Sequence, residues 1–182
     1  MEDFSLHILD LAENGIGAGA SLIKINVTED TIEDKVIIEI EDNGKGMSPE
    51  FLNKALDPFV TTRTTRRVGL GLSLFQQSVQ EADGEMFLTS QLGVGTKLVA
   101  SMKHSHIDRK PIGDLAGTIL CLIEGNSDVD FVFRYKVDER AYSLDTREIR
   151  AELDLIPLNH PNVVQLIREN LVTGIKETKQ TL

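Results

Sequence analysis

The feature that most constrains this chain is a pair of alternating runs, "LIKINVTED" and "KVIIEIED", joined by a short polar stretch. Ile23, Ile25 and Val27 alternate with Lys24 and Asn26, and Val36, Ile38 and Ile40 alternate in the same way. Side chains of a strand point to opposite faces in turn, so each run is a strand buried on one side only. The polar "EDTIEDK" between them suits a hairpin loop, which pairs them antiparallel. A sheet with one apolar face needs helices to cover it. The sequence supplies amphipathic ones: Phe4, Ile8, Leu11, Ala12 and Gly15 recur at helical spacing, and the helix is expected to end near Gly17 and Gly19.

Further elements follow the same reading. "SPEFLNKAL" reads as a short helix with Ser48 as N-cap and Pro49 at the first helical position. "LGLSLFQQSVQE", residues 70–81, reads as a longer helix with Leu70, Leu74, Gln77 and Val79 near one face, stopping at "ADG". "EMFLTS" and "TKLVASMK" are strands around the glycine turn "QLGVG". The expected fold is therefore α+β, a two-layer α/β sandwich with helices on one face of a mixed, largely antiparallel sheet. Residues 106–182 are expected as a C-terminal extension to a first unit of residues 1–105, with "HSHIDRKPIGD" as the joint. In it, "GTILCLIEGNSDVDFVFRYKV" reads as a hairpin, "DTREIRAEL" as a short helix capped by Asp145, and "NVVQLIRENLV" as a last helix presenting Val163, Leu166, Ile167 and Val172.

Composition narrows the class. The chain has 182 residues, 41% hydrophobic, and a formal net charge of -10, a balance that repels a polyphosphate backbone and argues against nucleic acid as a partner. No apolar run approaches the roughly 20 residues that cross a bilayer, and the acidic start is unlike a secretory signal, so a cytoplasmic protein with no membrane partner is expected. Cys121, the single cysteine, sits in "TILCLI" and is expected as a buried, inert thiol. His7 reads as a solvated helix residue, His160 as a loop or cap residue. His104 and His106 have a spacing that metal sites use, with no third ligand nearby.

Four stretches carry candidate chemistry. Asp10 and Asn14 lie one helical turn apart and offer oxygens to one point, a half-site for a hard cation such as Mg²⁺. "EDNGKGM" leaves a strand into a turn with glycines at 44 and 46, where a flat ligand can approach the backbone and Asp42 can accept a hydrogen bond. "FVTTRTTRRVGLGLSL" sets Arg63, Arg66 and Arg67 before Gly69 and Gly71 at the start of a helix, whose free N–H groups and dipole attract anions. "GVGT" ends in Thr96 at another glycine turn. Each alone is a helix face, a turn or a loop.

In this order, the four stretches resemble the N, G1, G2 and G3 boxes of the GHKL superfamily of ATP-binding domains, whose members include DNA gyrase B, Hsp90, histidine kinases and MutL. "DPFVTTR" resembles the F box of histidine kinases, and "NGIGAGA" is similar to the continuation of the N box; the likeness covers roughly residues 1–103. The resemblance implies a Bergerat-type site for ATP. Asp42 would accept the adenine amino group with Thr96 beside it, Gly44 and Gly46 would shape the pocket, and Met47 would line it. Asn14 would hold Mg²⁺, and Asp10 would position or deprotonate the attacking group. A lid from Val60 to Val68 would close over the triphosphate, Gly69, Gly71 and Leu72 would offer backbone N–H groups, and Arg63, Arg66 and Arg67 would meet the phosphates.

Two positions depart from that pattern: Asp10 stands where many members carry Glu, and Gly15 where Ala or Ser is usual. The implied function is Mg-ATP-dependent phosphotransfer to a separate protein partner, of histidine-kinase or anti-sigma serine-kinase type. The alternatives are an ATPase switch that dimerises on binding nucleotide, for which Lys110 and Lys136 are the lysines to watch, and a module that senses ATP without turning it over. A homodimer is thus a further expectation.

Overall fold

The computed structural model describes residues 2–55, 70–153 and 155–180. Its first helix, α1 (Phe4–Gly17), starts where the Asp3 carboxylate accepts the Leu6 N–H, a side-chain cap for an otherwise unsatisfied donor. Phe4, Ile8, Ala12 and Gly15 form its buried face, as their spacing predicts. Strands β1 (Leu22–Asp30) and β2 (Lys35–Asp42) pair antiparallel, with Ile25 opposite Ile40 and Val27 opposite Ile38. Helix α2 (Pro49–Ala55) begins at Ser48, whose Oγ accepts the Phe51 N–H.

Helix α3 (Leu70–Gln80) lies where its periodicity places it, but its core face is rotated from the expected one. Phe75, Ser78 and Val79 are buried, whereas Leu74 is 40% exposed and Gln77 faces out. Phe75, the bulkier side chain, takes the interior by packing edge-on to Phe4, ring centroids 6.0 Å apart. Strands β3 (Glu85–Gln91) and β4 (Gly95–Lys103) form the predicted hairpin, and β4 also pairs with β2.

The stretch expected as a hairpin after residue 114 is instead helix α4 (Leu115–Gly125) followed by strand β5 (Asp130–Val137). A short apolar run fits a buried helix as well as a buried strand by pattern alone. Here the Asp114 carboxylate caps the Gly117 N–H and commits "LAGTILCLI" to helix. Cys121 is consequently exposed, on the outer side of α4, while Leu120, Leu122 and Ile123 turn inward; the expected burial of the thiol does not hold. The hairpin forms one element later, between β5 and β6 (Arg140–Asp145), around Asp138 at φ 51°.

Helix α5 (Thr146–Leu153) follows Asp145, whose carboxylate accepts the Arg147 N–H, and α6 (Pro161–Lys179) follows His160, whose Nδ1 accepts from the Asn162 N–H. Val163 and Ile167 of α6 are in the core; Leu166 and Val172 are exposed.

Six helices, among the described residues, cover one face of a six-stranded mixed sheet of order β3-β4-β2-β1-β5-β6. Among the described residues, only the β1–β5 pairing is parallel, reached through α4. The covered face carries Ile23, Ile25, Val27, Val36, Ile38, Leu98, Ala100, Phe131 and Phe133, nearly all without solvent contact. The opposite face holds Lys24, Glu41, Glu39 and Lys97, with Lys24 bonded to Glu41 at 2.8 Å. None of the described helices is long and apolar enough to cross a membrane.

Candidate functional site

At the ends of β2 and β4, where α1 runs out, the sheet and helices leave a cavity of about 420 Å³. Its wall is apolar: Leu11 from α1, Ile40 from β2, Leu88 from β3, Leu98 from β4, Leu72 from α3 and Phe51 from α2. Against that wall stand few polar groups, chiefly Asn14, Asp42 and Thr96. A pocket of this size, with an apolar body and a few placed polar atoms, suits a flat small molecule.

Asp42 closes β2 and is the carboxylate in the cavity lining, which also includes Lys45. Its Oδ1 accepts the Gly44 N–H at 2.8 Å, and the backbone of Thr96, opposite it in the β2–β4 register, lies close enough to favour the anion as well. Burial nevertheless raises the carboxyl above its ordinary 3.8, with nearby Glu41 adding to the rise, because desolvation of the anion outweighs both.

The glycines are where close approach demands them. Gly46 has φ 65°, and a side chain there would run into the Gln91 carbonyl. Gly95, at φ 132°, similarly abuts the Asp42 carbonyl. Backbone bonds tie the turn at both ends: the Lys45 N–H donates to Ala18 O at 3.0 Å, and Lys45 O accepts the Gly93 N–H at 2.8 Å.

Two residues that pattern reading passed over hold this arrangement. Asn43 Oδ1 accepts the N–H groups of both Ser21 and Leu22 at 2.9 Å, pinning the turn to the start of β1. Ser90 Oγ accepts the Met47 N–H at 2.8 Å, donates to Gly95 O at 3.0 Å and lies 2.9 Å from Thr96 Oγ1. Asn43 carried a signal in the "DNG" turn; Ser90, near the end of β3, carried none.

Asn14 lies on the cavity rim, and Asp10 sits one turn earlier on the same face of α1. Beyond Asn14, α3 approaches so closely that a Cβ on Gly71 would overlap Asp10 Oδ2. Gly71, in the first turn of α3, thus lies directly beside the Asp10 carboxylate. The structure brings together Asp10, Asn14, Asp42, Gly44, Gly46, Met47, Gly71, Leu72 and Thr96. Arg63, Arg66, Arg67 and Gly69 lie outside the described residues, as does the span from Val60 to Val68.

The other candidates separate from this cavity. His7 is fully buried, contrary to its expected exposure, because it faces α3 and packs 5.4 Å from the Phe75 ring. His104 pairs with Glu29 and His106 with Asp83, and among the described residues no three His, Cys, Asp or Glu side chains cluster as a metal site. Lys110 donates to Ser78 Oγ at 2.7 Å, and neither it nor Lys136 lines the cavity.

A profile of the family described as "Histidine kinase-, DNA gyrase B-, and HSP90-like ATPase" matches residues 3–106. Sporulation kinase D of Bacillus subtilis is 30% identical over 95 residues, 52% of this chain and 19% of that protein. A protein named as a putative sensor protein, from Shewanella frigidimarina, is 34% identical over 93 residues, 50% of this chain and 14% of its own length. The chain therefore spans less than a fifth of these relatives. Among solved structures, the ADP-complexed ATPase domain of Aquifex aeolicus MutL superposes with a TM-score of 0.50 at 15% identity, over 95% of this chain and 70% of that one. The N-terminal domain of a DNA repair protein does so with 0.55 at 14%, over 96% and 57%. These two likenesses are of fold.

Proposed function

The chain belongs to the histidine kinase-, DNA gyrase B- and HSP90-like ATPases, and from that premise we propose that it binds Mg-ATP over Asp42 and transfers the γ-phosphoryl group to a separate protein. The observation that carries this reading is the polarity of the cavity: one desolvated carboxylate, Asp42, at the base of an apolar slot whose rim bears Asn14. An adenine ring fills such a slot and donates its exocyclic N–H to Asp42, while guanine would set a carbonyl oxygen against the same carboxylate.

The triphosphate then extends past Asn14 toward the first turn of α3, where the N–H groups of Gly71 and Leu72 meet its oxygens. Phosphate-binding roles for Gly69, Arg63, Arg66 and Arg67, which lie outside the described residues, rest on the sequence alone. The donor set fits Mg²⁺ in the usual manner of few protein ligands plus phosphates: Asn14 is the protein oxygen on the rim. The metal supplies neutralisation of charge on the transferring group. Asp10, against Gly71, orients the acceptor group and takes its proton as the new bond to phosphorus forms and the bond to ADP breaks.

Substitution of Asp for the longer Glu at position 10, with its carboxylate packed on Gly71, favours a second reading in which ATP is bound but not turned over. Titration of the protein with ATP and GTP, followed by incubation with labelled ATP and candidate partner proteins, separates the two. ATP-selective binding with a labelled partner supports phosphotransfer. Binding with neither transfer nor phosphate release supports the sensor, and absence of ATP binding overturns both.

A further inference from the structure

Helices α1 and α3 meet along one seam, and the candidate phosphate end of the site is only one end of it. At that end Gly71 lies on Asp10. Two helical turns along α3, Ser78 faces His7, which lies one turn before Asp10 and Leu11 on α1. The second end is polar although it is buried: Ser78 is 1% exposed and His7 0%.

The hydrogen bonds there can be assigned by counting. Ser78 Oγ donates its one proton to Leu74 O at 2.8 Å and accepts from Lys110 Nζ at 2.7 Å. Its remaining contact, His7 Nε2 at 3.2 Å, must then be a donor, so His7 carries its proton on Nε2. Nδ1 is left as a buried lone pair without a partner among the described residues. Protonating it would put a second cation beside Lys110, and burial together with that charge lowers the His7 pKa to about 4. The cluster is therefore Lys110 ammonium, serine hydroxyl and neutral imidazole.

Lys110 does not belong to either helix. It stands in the segment after β4, which is fastened to the start of α1: Phe4 N–H donates to Pro111 O at 3.0 Å and Ser5 N–H to Ile112 O at 2.8 Å. Gly113, at φ 86°, leaves no room for a side chain against Asp3 and Ser5. This strap thus grips α1 by its backbone and α3 by one ammonium group.

We propose that Lys110 is a positioning residue for the phosphate end of the site: through Ser78, and Ser78 through His7, it holds α3 against α1 at the spacing that seats Gly71 on Asp10. The proposal rests on the ATP reading above. It makes the segment that leads into the C-terminal elements a determinant of how phosphates are bound, although none of its atoms lines the cavity. Base binding at Asp42 draws on β2 and β4 and is independent of it.

The test compares ATP and adenosine affinities by calorimetry in the full chain for wild type, Lys110→Met and Lys110→Arg, with thermal melts alongside. Met keeps the aliphatic stem and removes the donor; Arg restores a charged donor. The expected result is ATP affinity about tenfold weaker in Lys110→Met, the scale of a lost charge-assisted bond, adenosine affinity unchanged, and ATP affinity recovered in Lys110→Arg. Should Lys110→Met fail to fold, Ser78→Ala reads the same link from α3 and is expected to give the same split. Equal loss of both ligands, or loss of neither, in the variant that folds overturns the proposal. Wild-type protein that binds adenosine and ATP equally overturns it too, leaving the base site standing; wild-type protein that binds neither overturns the ATP reading itself.

Discussion

Gly15 and Asp42 face each other so closely that a Cβ added at residue 15 would stand 2.9 Å from the Asp42 Cβ and 3.3 Å from its Oδ2. The helix that carries Asn14 is thus pressed onto the strand end that carries the cavity carboxylate. Glycine at this position is a fit between two elements as well as a local weakness of the helix.

Gly15→Ala therefore pits two effects against each other. Alanine favours the helix by up to about 1 kcal/mol, but Asp42 must shift by several tenths of an ångström. Melting temperature is expected to change little, and ATP affinity to fall about tenfold. Calorimetry and a thermal melt on the same sample check the pair; unchanged affinity would show that Asp42 does not contact the base.

Asp42→Asn is expected to weaken ATP binding about thirtyfold, since a charge-assisted bond of about 2 kcal/mol is lost when an amide N–H group takes the place of one carboxylate oxygen. Its effect on the free protein has the opposite sign. Burial raises the carboxyl above its unfolded 3.8, so the ionised form costs stability at neutral pH, and the amide should melt slightly higher. For the same reason wild-type ATP affinity should weaken, as acid is added, at a pH above that at which an ordinary Asp protonates.

His7 supplies an acid-sensitive term. Its pKa falls from 6.5 to about 4 in the folded protein, chiefly by burial and then by the charge of Lys110. The folded state binds this proton less readily than the unfolded chain, so its contribution is full above pH 6.5 and is lost as pH drops toward about 4. Melting temperatures followed between pH 7 and 4 should decline in wild type and decline less in His7→Phe.

Ser90→Ala removes the hydroxyl shared by the Met47 N–H, Gly95 O and Thr96 Oγ1. An unpaired N–H in the turn costs about 1–3 kcal/mol. The variant should melt lower and bind adenosine more weakly, while the ratio of ATP to adenosine affinity stays constant. A shift in that ratio would mean that Ser90 reaches the phosphates.

Removing residues 106–182 tests whether the first part stands alone. Strand β5 pairs with β1 along its whole length, and α4 packs on α1. The truncated chain would bare the β1 edge and the inner faces of Ile23 and Ile25, which now touch Phe131 and Phe133 across the ladder. It should unfold without cooperativity or aggregate; a soluble chain with a sharp melt would show residues 1–105 to be an independent unit.

Much of the fold was legible because its signals are local. The alternation of Ile23, Ile25 and Val27, the spacing of Phe4, Ile8 and Ala12, and the Ser48 and Asp145 caps each act within one element. The α4 stretch was misread because a continuous apolar run has no period, and the Asp114 cap that decides it is a single residue. The face of α3 was misread because Leu74 and Phe75 are both apolar, and only the opposing Phe4 ring selects between them.

The sequence by itself determined the identities and chain positions of the groups at the site: a carboxylate ending a strand, an amide oxygen on a helix and glycines where backbones must touch. Only the tertiary structure decided their neighbours. That Gly15 meets Asp42, that Gly71 meets Asp10, that Ser90 props Thr96 and that Lys110 reaches Ser78 are contacts across 27, 61, 6 and 32 residues of chain. Spacing rules extend over one or two turns of one element; a contact between elements is set by how their faces pack, which no residue specifies alone.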